Sequence, residues 1–118
     1  MLRGSCHCGA VKFEFREKPE WLTECNCSAC RRFGTVWAHG SPENVTIESD
    51  PEATFRYAWG DKDLEFHTCK TCGNTTHWAP TNPKGDKMAV NTRLVPAQDV
   101  KDIRVRHFDG ADTWRFVD

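Results

Sequence analysis

Hydrophobic and polar positions alternate with a period of two along much of this chain, and the pattern predicts short strands. Val11, Phe13 and Phe15 alternate with Lys12, Glu14 and Arg16, as in a strand with one buried face. Phe55, Tyr57 and Trp59 alternate with Thr54, Arg56 and Ala58 in the same way. Residues 60–63 (Gly-Asp-Lys-Asp) supply a turn, and 64–67 return as the second arm of a hairpin. Further strands are expected at 36–39, 45–48, 75–78, 87–90 and 103–105. Helical signals are short. Ser28 is placed to cap a single turn that ends at Gly34, and Pro96 to occupy the first position of another running to Val100. Residues 80–86, dense in Pro and Gly, read as a loop. No repeat, low-complexity tract or linker interrupts the chain. The expectation is one domain over residues 1–118, mainly β, with short strands presenting cysteine-bearing turns and little helix.

Composition adds that such a domain is short of core. Only 38% of the 118 residues are hydrophobic, and five Trp, seven Phe and one Tyr supply much of what can be buried. Each buried ring removes about 150–250 Å² from water, so the tryptophans are expected as core or as pocket wall. Formal net charge is -1, from 16 Lys+Arg against 17 Asp+Glu. That balance provides no broad cationic field for nucleic acid or an anionic membrane. No apolar run approaches the ~20 residues of a membrane span, and no hydrophobic leader precedes the first cysteines. A cytoplasmic, reducing setting is the expectation, and thiols stay reduced there.

Seven cysteines then need another explanation than disulfides. They fall in three clusters: Cys6-His7-Cys8-Gly9, Cys25-Asn26-Cys27-Ser28-Ala29-Cys30, and Cys69-Lys70-Thr71-Cys72-Gly73. A C-x-x-C pair at a turn lets two thiolates converge on one tetrahedral zinc, and the glycine that follows permits a positive φ. The two outer pairs supply four thiolates, enough for a structural site: Cys6, Cys8, Cys69 and Cys72. Cys25, Cys27 and Cys30 remain as three, the number that reactive zinc sites use with a fourth position open. Spacing alone leaves other partitions available, including completion of the triplet by His7, His39, His67 or His77. An iron–sulfur centre is the third chemistry that thiolate ligands allow. The segment from His107 to Asp112 contains an Asp-Gly turn to which spacing assigns no role.

The three motifs in this order, from Gly4-Ser5-Cys6-His7-Cys8-Gly9 through Cys25–Arg32 to Phe66–Gly73, resemble the glutathione-dependent formaldehyde-activating enzyme and centromere protein V family. The resemblance implies a β-tent zinc fold with two zinc ions per chain. It implies a structural ion at Cys6, Cys8, Cys69 and Cys72, and a labile, catalytic one at Cys25, Cys27 and Cys30. It further implies a carbon–sulfur lyase resembling S-(hydroxymethyl)glutathione synthase, which joins or cleaves an adduct of glutathione and formaldehyde. Arg31 and Arg32, next to the triplet, are placed to meet the carboxylates of such a thiol. The rival function within the same family is a non-catalytic zinc module for a protein or nucleic acid partner. The middle motif departs from the family pattern at Asn26, where His is common.

Overall fold

The computed structural model describes residues Met1–Asp118, and its strands form two sheets. The smaller sheet is antiparallel, in the order β1-β2-β5, from β1 (Leu2–Ser5), β2 (Lys12–Phe15) and β5 (Val45–Glu48). The larger has the order β11-β10-β3-β4-β9-β8-β7-β6. Its members are β3 (Trp21–Cys25), β4 (Trp37–Gly40), β6 (Thr54–Tyr57), β7 (Leu64–Cys69), β8 (Thr75–Pro80), β9 (Met88–Asn91), β10 (Arg104–Asp109) and β11 (Arg115–Phe116). Two short helices, α1 (Ser28–Phe33) and α2 (Ala97–Val100), complete the fold. The mainly β expectation holds, with one addition: β10 runs parallel to β3, with Phe108 opposite Cys25.

The smaller sheet packs on the larger through Leu2, Phe13, Phe15 and Val45 on one side and Leu22, Ala38, Met88 and Val90 on the other. The opposite face of the larger sheet is also covered. There Cys30, Trp37, Phe66 and Ala89 form a second cluster, joined by Phe33 and Trp78. Trp37 and Ala38, adjacent in β4, thus serve opposite faces, as do Ala89 and Val90 in β9. All four residues of β9 are buried.

Three local expectations need correction. Phe55 and Tyr57, on one face of β6, point to solvent, each 52% exposed, while Trp59 lies beyond the strand. On the other face, buried Thr54 meets the His67 imidazole at 3.4 Å and exposed Arg56 meets Glu65 at 3.7 Å. β6 is an edge strand of the larger sheet. Second, the residue capping α1 is Cys27, not Ser28: its Sγ accepts the Cys30 backbone N–H at 3.3 Å. A sulfur at that position fills the usual hydroxyl role. Third, Pro96 is the N-cap of α2 and not its first helical residue, a position that also leaves its missing N–H without consequence.

Candidate metal centres

The two turns carrying the outer pairs are built alike. Cys6 and Cys8 lie in the β1–β2 connection, Cys69 and Cys72 in the β7–β8 connection. In the first, the Gly9 N–H donates to the Cys6 carbonyl at 3.0 Å; in the second, the Gly73 N–H donates to the Cys69 carbonyl at 2.9 Å. Gly9 and Gly73 have φ of 84° and 81°, the left-handed region glycine enters without penalty. These turns face each other across the two sheets. Cys8 Sγ is 3.7 Å from Cys6 Sγ and 3.6 Å from Cys69 Sγ, and all four sulfurs lie within 4.8 Å of one another. Tetrahedral zinc with Zn–S near ~2.3 Å sets its sulfurs about 3.8 Å apart, so the donor set has the size of one ion. Asn74 ties the turns together by accepting the His7 N–H at 2.7 Å, and His7 itself is exposed.

Cys25, Cys27 and Cys30 form a second set, also within 4.8 Å. Cys25 ends β3, Cys27 caps α1, and Cys30 sits one turn into that helix. Each sulfur faces an N–H group: Cys25 that of Cys27 at 3.5 Å, Cys27 that of Cys30 at 3.3 Å, and Cys30 the indole Nε1–H of Trp37 at 3.4 Å. No histidine joins either set. His67 and His77 instead stack on each other with centroids 4.3 Å apart, and burial holds both imidazoles below their ordinary range.

In both clusters neighbouring thiols shift one another's ionisation in opposite directions. A hydrogen bond from the Cys30 thiol, helped by the N–H groups of Cys27 and Gly110 against burial, pulls Cys25 down to about 6. Cys25 and burial push Cys30 the opposite way. In the outer set, burial raises Cys72, yet the Asn74 and Cys8 backbone N–H groups bring it down to about 6. At Cys8 the Ala10 N–H is outweighed by desolvation and the neighbouring thiols, which push it up to about 11. Thiols this close ionise only in part unless a cation takes their place as proton partner. Thiolate sets of four and three, spaced for one ion each and supplied with N–H donors, fit zinc.

The triplet opens into a cavity of about 830 Å³, flanked by the β6–β7 loop and the β10–β11 loop. Gly110 brings the second loop against the triplet: a Cβ there would lie 2.7 Å from Cys25 Sγ. Asn26 holds that loop in place, donating to Asp109 Oδ1 and accepting the Ala111 N–H, each at 3.0 Å. Trp37, Asn26 and Gly110 were not among the sequence-derived site residues. Only the Asp-Gly turn signalled the last, and parallel pairing of β10 with β3 was needed to bring it to Cys25. Arg31 and Arg32 are exposed and do not line the cavity; Arg32 donates to the Ser28 carbonyl of its own helix at 2.9 Å. Trp37→Phe, which removes the indole donor to Cys30, is expected to weaken metal binding at the triplet by roughly tenfold in chelator competition.

A family model described as glutathione-dependent formaldehyde-activating enzyme matches residues 1–106. A crystal structure of a Rhodobacter sphaeroides protein aligns with a TM-score of 0.71 at 27% identity, covering 88% of this chain and 99% of that one. By the extent of that family match, this chain belongs to the glutathione-dependent formaldehyde-activating enzyme family.

Proposed function

We propose that the protein is a zinc-dependent carbon–sulfur lyase-type enzyme that joins or cleaves the adduct of a small thiol and a small aldehyde. The observation that carries this reading is the three-sulfur set opening into a cavity that the four-sulfur set, held between two turns, does not line. In this reading Cys6, Cys8, Cys69 and Cys72 hold a structural zinc, and Cys25, Cys27 and Cys30 hold a second one with room for a further ligand. Zinc held there would supply Lewis acidity, keeping a substrate thiol ionised at neutral pH.

The chain's own residues do the rest. The N–H groups of Cys27, Cys30 and Trp37 fix the three sulfurs, and Gly110 presses the cavity wall onto Cys25. The aromatic walls hold the thiol and the aldehyde side by side, which favours addition by proximity. In the joining direction sulfur bonds to the carbonyl carbon, the carbon–oxygen π bond opens onto oxygen, and that oxygen takes up the proton the thiol has lost. No net proton or electron is exchanged, and cleavage is the reverse. Concave placement supports an enzyme over a partner-docking module. A reducing compartment, as in the cytoplasm, suits a site that must keep its thiols, and residues 1–118 act as one unit.

Cys27→Ser tests the reading because a serine hydroxyl can still accept the Cys30 N–H at the helix cap while removing the thiolate. At saturating zinc, adduct formation from formaldehyde with glutathione or an arylalkyl thiol, followed by NMR, is expected to drop to the uncatalysed rate. Unchanged formation with both thiols overturns the assignment.

A further inference from the structure

All five tryptophans of the chain, Trp21, Trp37, Trp59, Trp78 and Trp114, line the one cavity beside the cysteine triplet. They come from β3, β4, β8 and the two loops that flank the opening, so no single local sequence accounts for the convergence. Phe66, Phe108 and Phe116 fill the gaps between them. Phe108 meets Trp114 edge-on with centroids 5.1 Å apart and Phe116 at 5.0 Å, so the β10–β11 side is a continuous aromatic wall. Across the cavity, Trp78 is edge-on to His39 at 5.7 Å.

Charge around this space is sparse and of the wrong sign for a polyanionic ligand. Glu20, Asp61 and Asp63 contribute three carboxylates, and Lys62 and Lys87 two ammonium groups. Arg31 and Arg32, the guanidinium groups nearest in sequence, lie outside. Glutathione carries two carboxylates and one ammonium on a peptide backbone rich in polar groups. Burying each of those groups needs a partner, and this wall offers few donors. An aryl or other hydrocarbon body meets ring faces and edges instead, the arrangement that aromatic pairs favour. The volume, about 830 Å³, falls within the range of pockets that enclose drug-sized ligands and exceeds what formaldehyde with a minimal thiol would fill.

We infer that this cavity selects a thiol, or its aldehyde adduct, whose body is an apolar aromatic group and not the glutathione tripeptide. The inference rests on the proposed thiol site at Cys25, Cys27 and Cys30 and names the substrate class of that site. The aromatic body lies between the Trp21–Phe108 wall and Trp78, its sulfur directed to the triplet, with Trp114 covering the mouth.

The test titrates the cobalt-substituted protein with 2-naphthylmethanethiol and, separately, with glutathione. Two signals are read: the cobalt absorption bands, which change when a further sulfur joins the metal, and tryptophan emission, which the cavity location makes a direct reporter. The naphthyl thiol is expected to alter both signals with a dissociation constant at least about tenfold lower than that of glutathione. Trp114→Ala, at a residue 71% exposed and outside the core, is expected to weaken the naphthyl thiol several-fold more than it weakens glutathione. Glutathione binding as tightly as the naphthyl thiol, with the cobalt bands responding to both, overturns the substrate class and leaves the thiol site standing. Cobalt bands that respond to neither thiol overturn the thiol site and the inference with it. Quenching by the naphthyl thiol with no change at cobalt has the same consequence, since its sulfur is then not at the triplet.

Discussion

Stripping the zinc proposed for the four-cysteine set is expected to unfold the protein, with loss of the far-UV dichroism of its strands. Structural zinc sites contribute about 10–16 kcal/mol of apparent binding free energy, against about 5–15 kcal/mol for the whole stability of a domain. The position of this set makes the comparison apt. Cys6 and Cys8 belong to the smaller sheet's hairpin, while Cys69 and Cys72 belong to the larger sheet, some sixty positions along the chain. Only a modest cluster of Val11, Ile47 and Ala53 accompanies the sulfurs there. Without the ion, four clustered thiols and two glycine turns would have to hold that junction alone. Cys69→Ser, at a residue with 0% exposure, should act like the chelator and leave a chain that does not show a cooperative thermal transition. A chelated sample that is metal-free by elemental analysis yet keeps its dichroism would refute the claim. Adding zinc back should restore the signal, which separates loss of metal from damage to the thiols.

Much of this architecture was readable from the chain because local pattern and packing agree where one sheet face is covered. Phe13 and Phe15 alternate with polar residues and point into the shared core as their spacing implies. The β7–β8 hairpin carries the C-x-x-C-G turn that its glycine announces. Legibility stopped where both faces are covered or neither is. In β3, Leu22 and Thr23 are adjacent and both buried, so no alternation marks the strand that delivers Cys25. In β6 alternation is present but its aromatic face is the solvent face, because the partner of the polar face, His67, sits on the neighbouring strand. The partition of sulfurs into four and three is a matter of long-range pairing, and spacing alone left room for a histidine. The cavity was less legible still. Trp21 and Trp114 lie far apart in sequence and meet one cavity only because β10 turns parallel to β3. Asn26, a departure from the family pattern, proved to be the residue that fastens the far loop.

Gly110→Ala is expected to abolish or severely weaken metal binding at the triplet while leaving the fold and the first metal in place. The added Cβ would lie 2.7 Å from Cys25 Sγ and 3.3 Å from the Cys27 Cβ, closer than side-chain contacts tolerate in the first case. Gly110 is not among the glycines with positive φ, so alanine fits its backbone and the penalty falls on the contact alone. Something must then give. The loop is held by two Asn26 hydrogen bonds and by the Thr113 N–H and hydroxyl on Asp109 Oδ2 at 3.1 and 2.9 Å. Cys25 is held by the β3–β10 pairing of its own backbone with Phe108. The cheapest relief is rotation of the Cys25 side chain, which moves one sulfur off the common centre by more than the ~0.2 Å that metal–ligand distances allow. Displacing one of three thiolates should cost at least about tenfold in affinity, with the outer four unaffected. Metal analysis after dialysis is expected to fall from the proposed two ions per chain to one, with unchanged far-UV dichroism and no thiol-dependent response of the remaining metal. Two tightly held ions in this variant would mean that the loop yields instead, and that its closeness to Cys25 does not define the site.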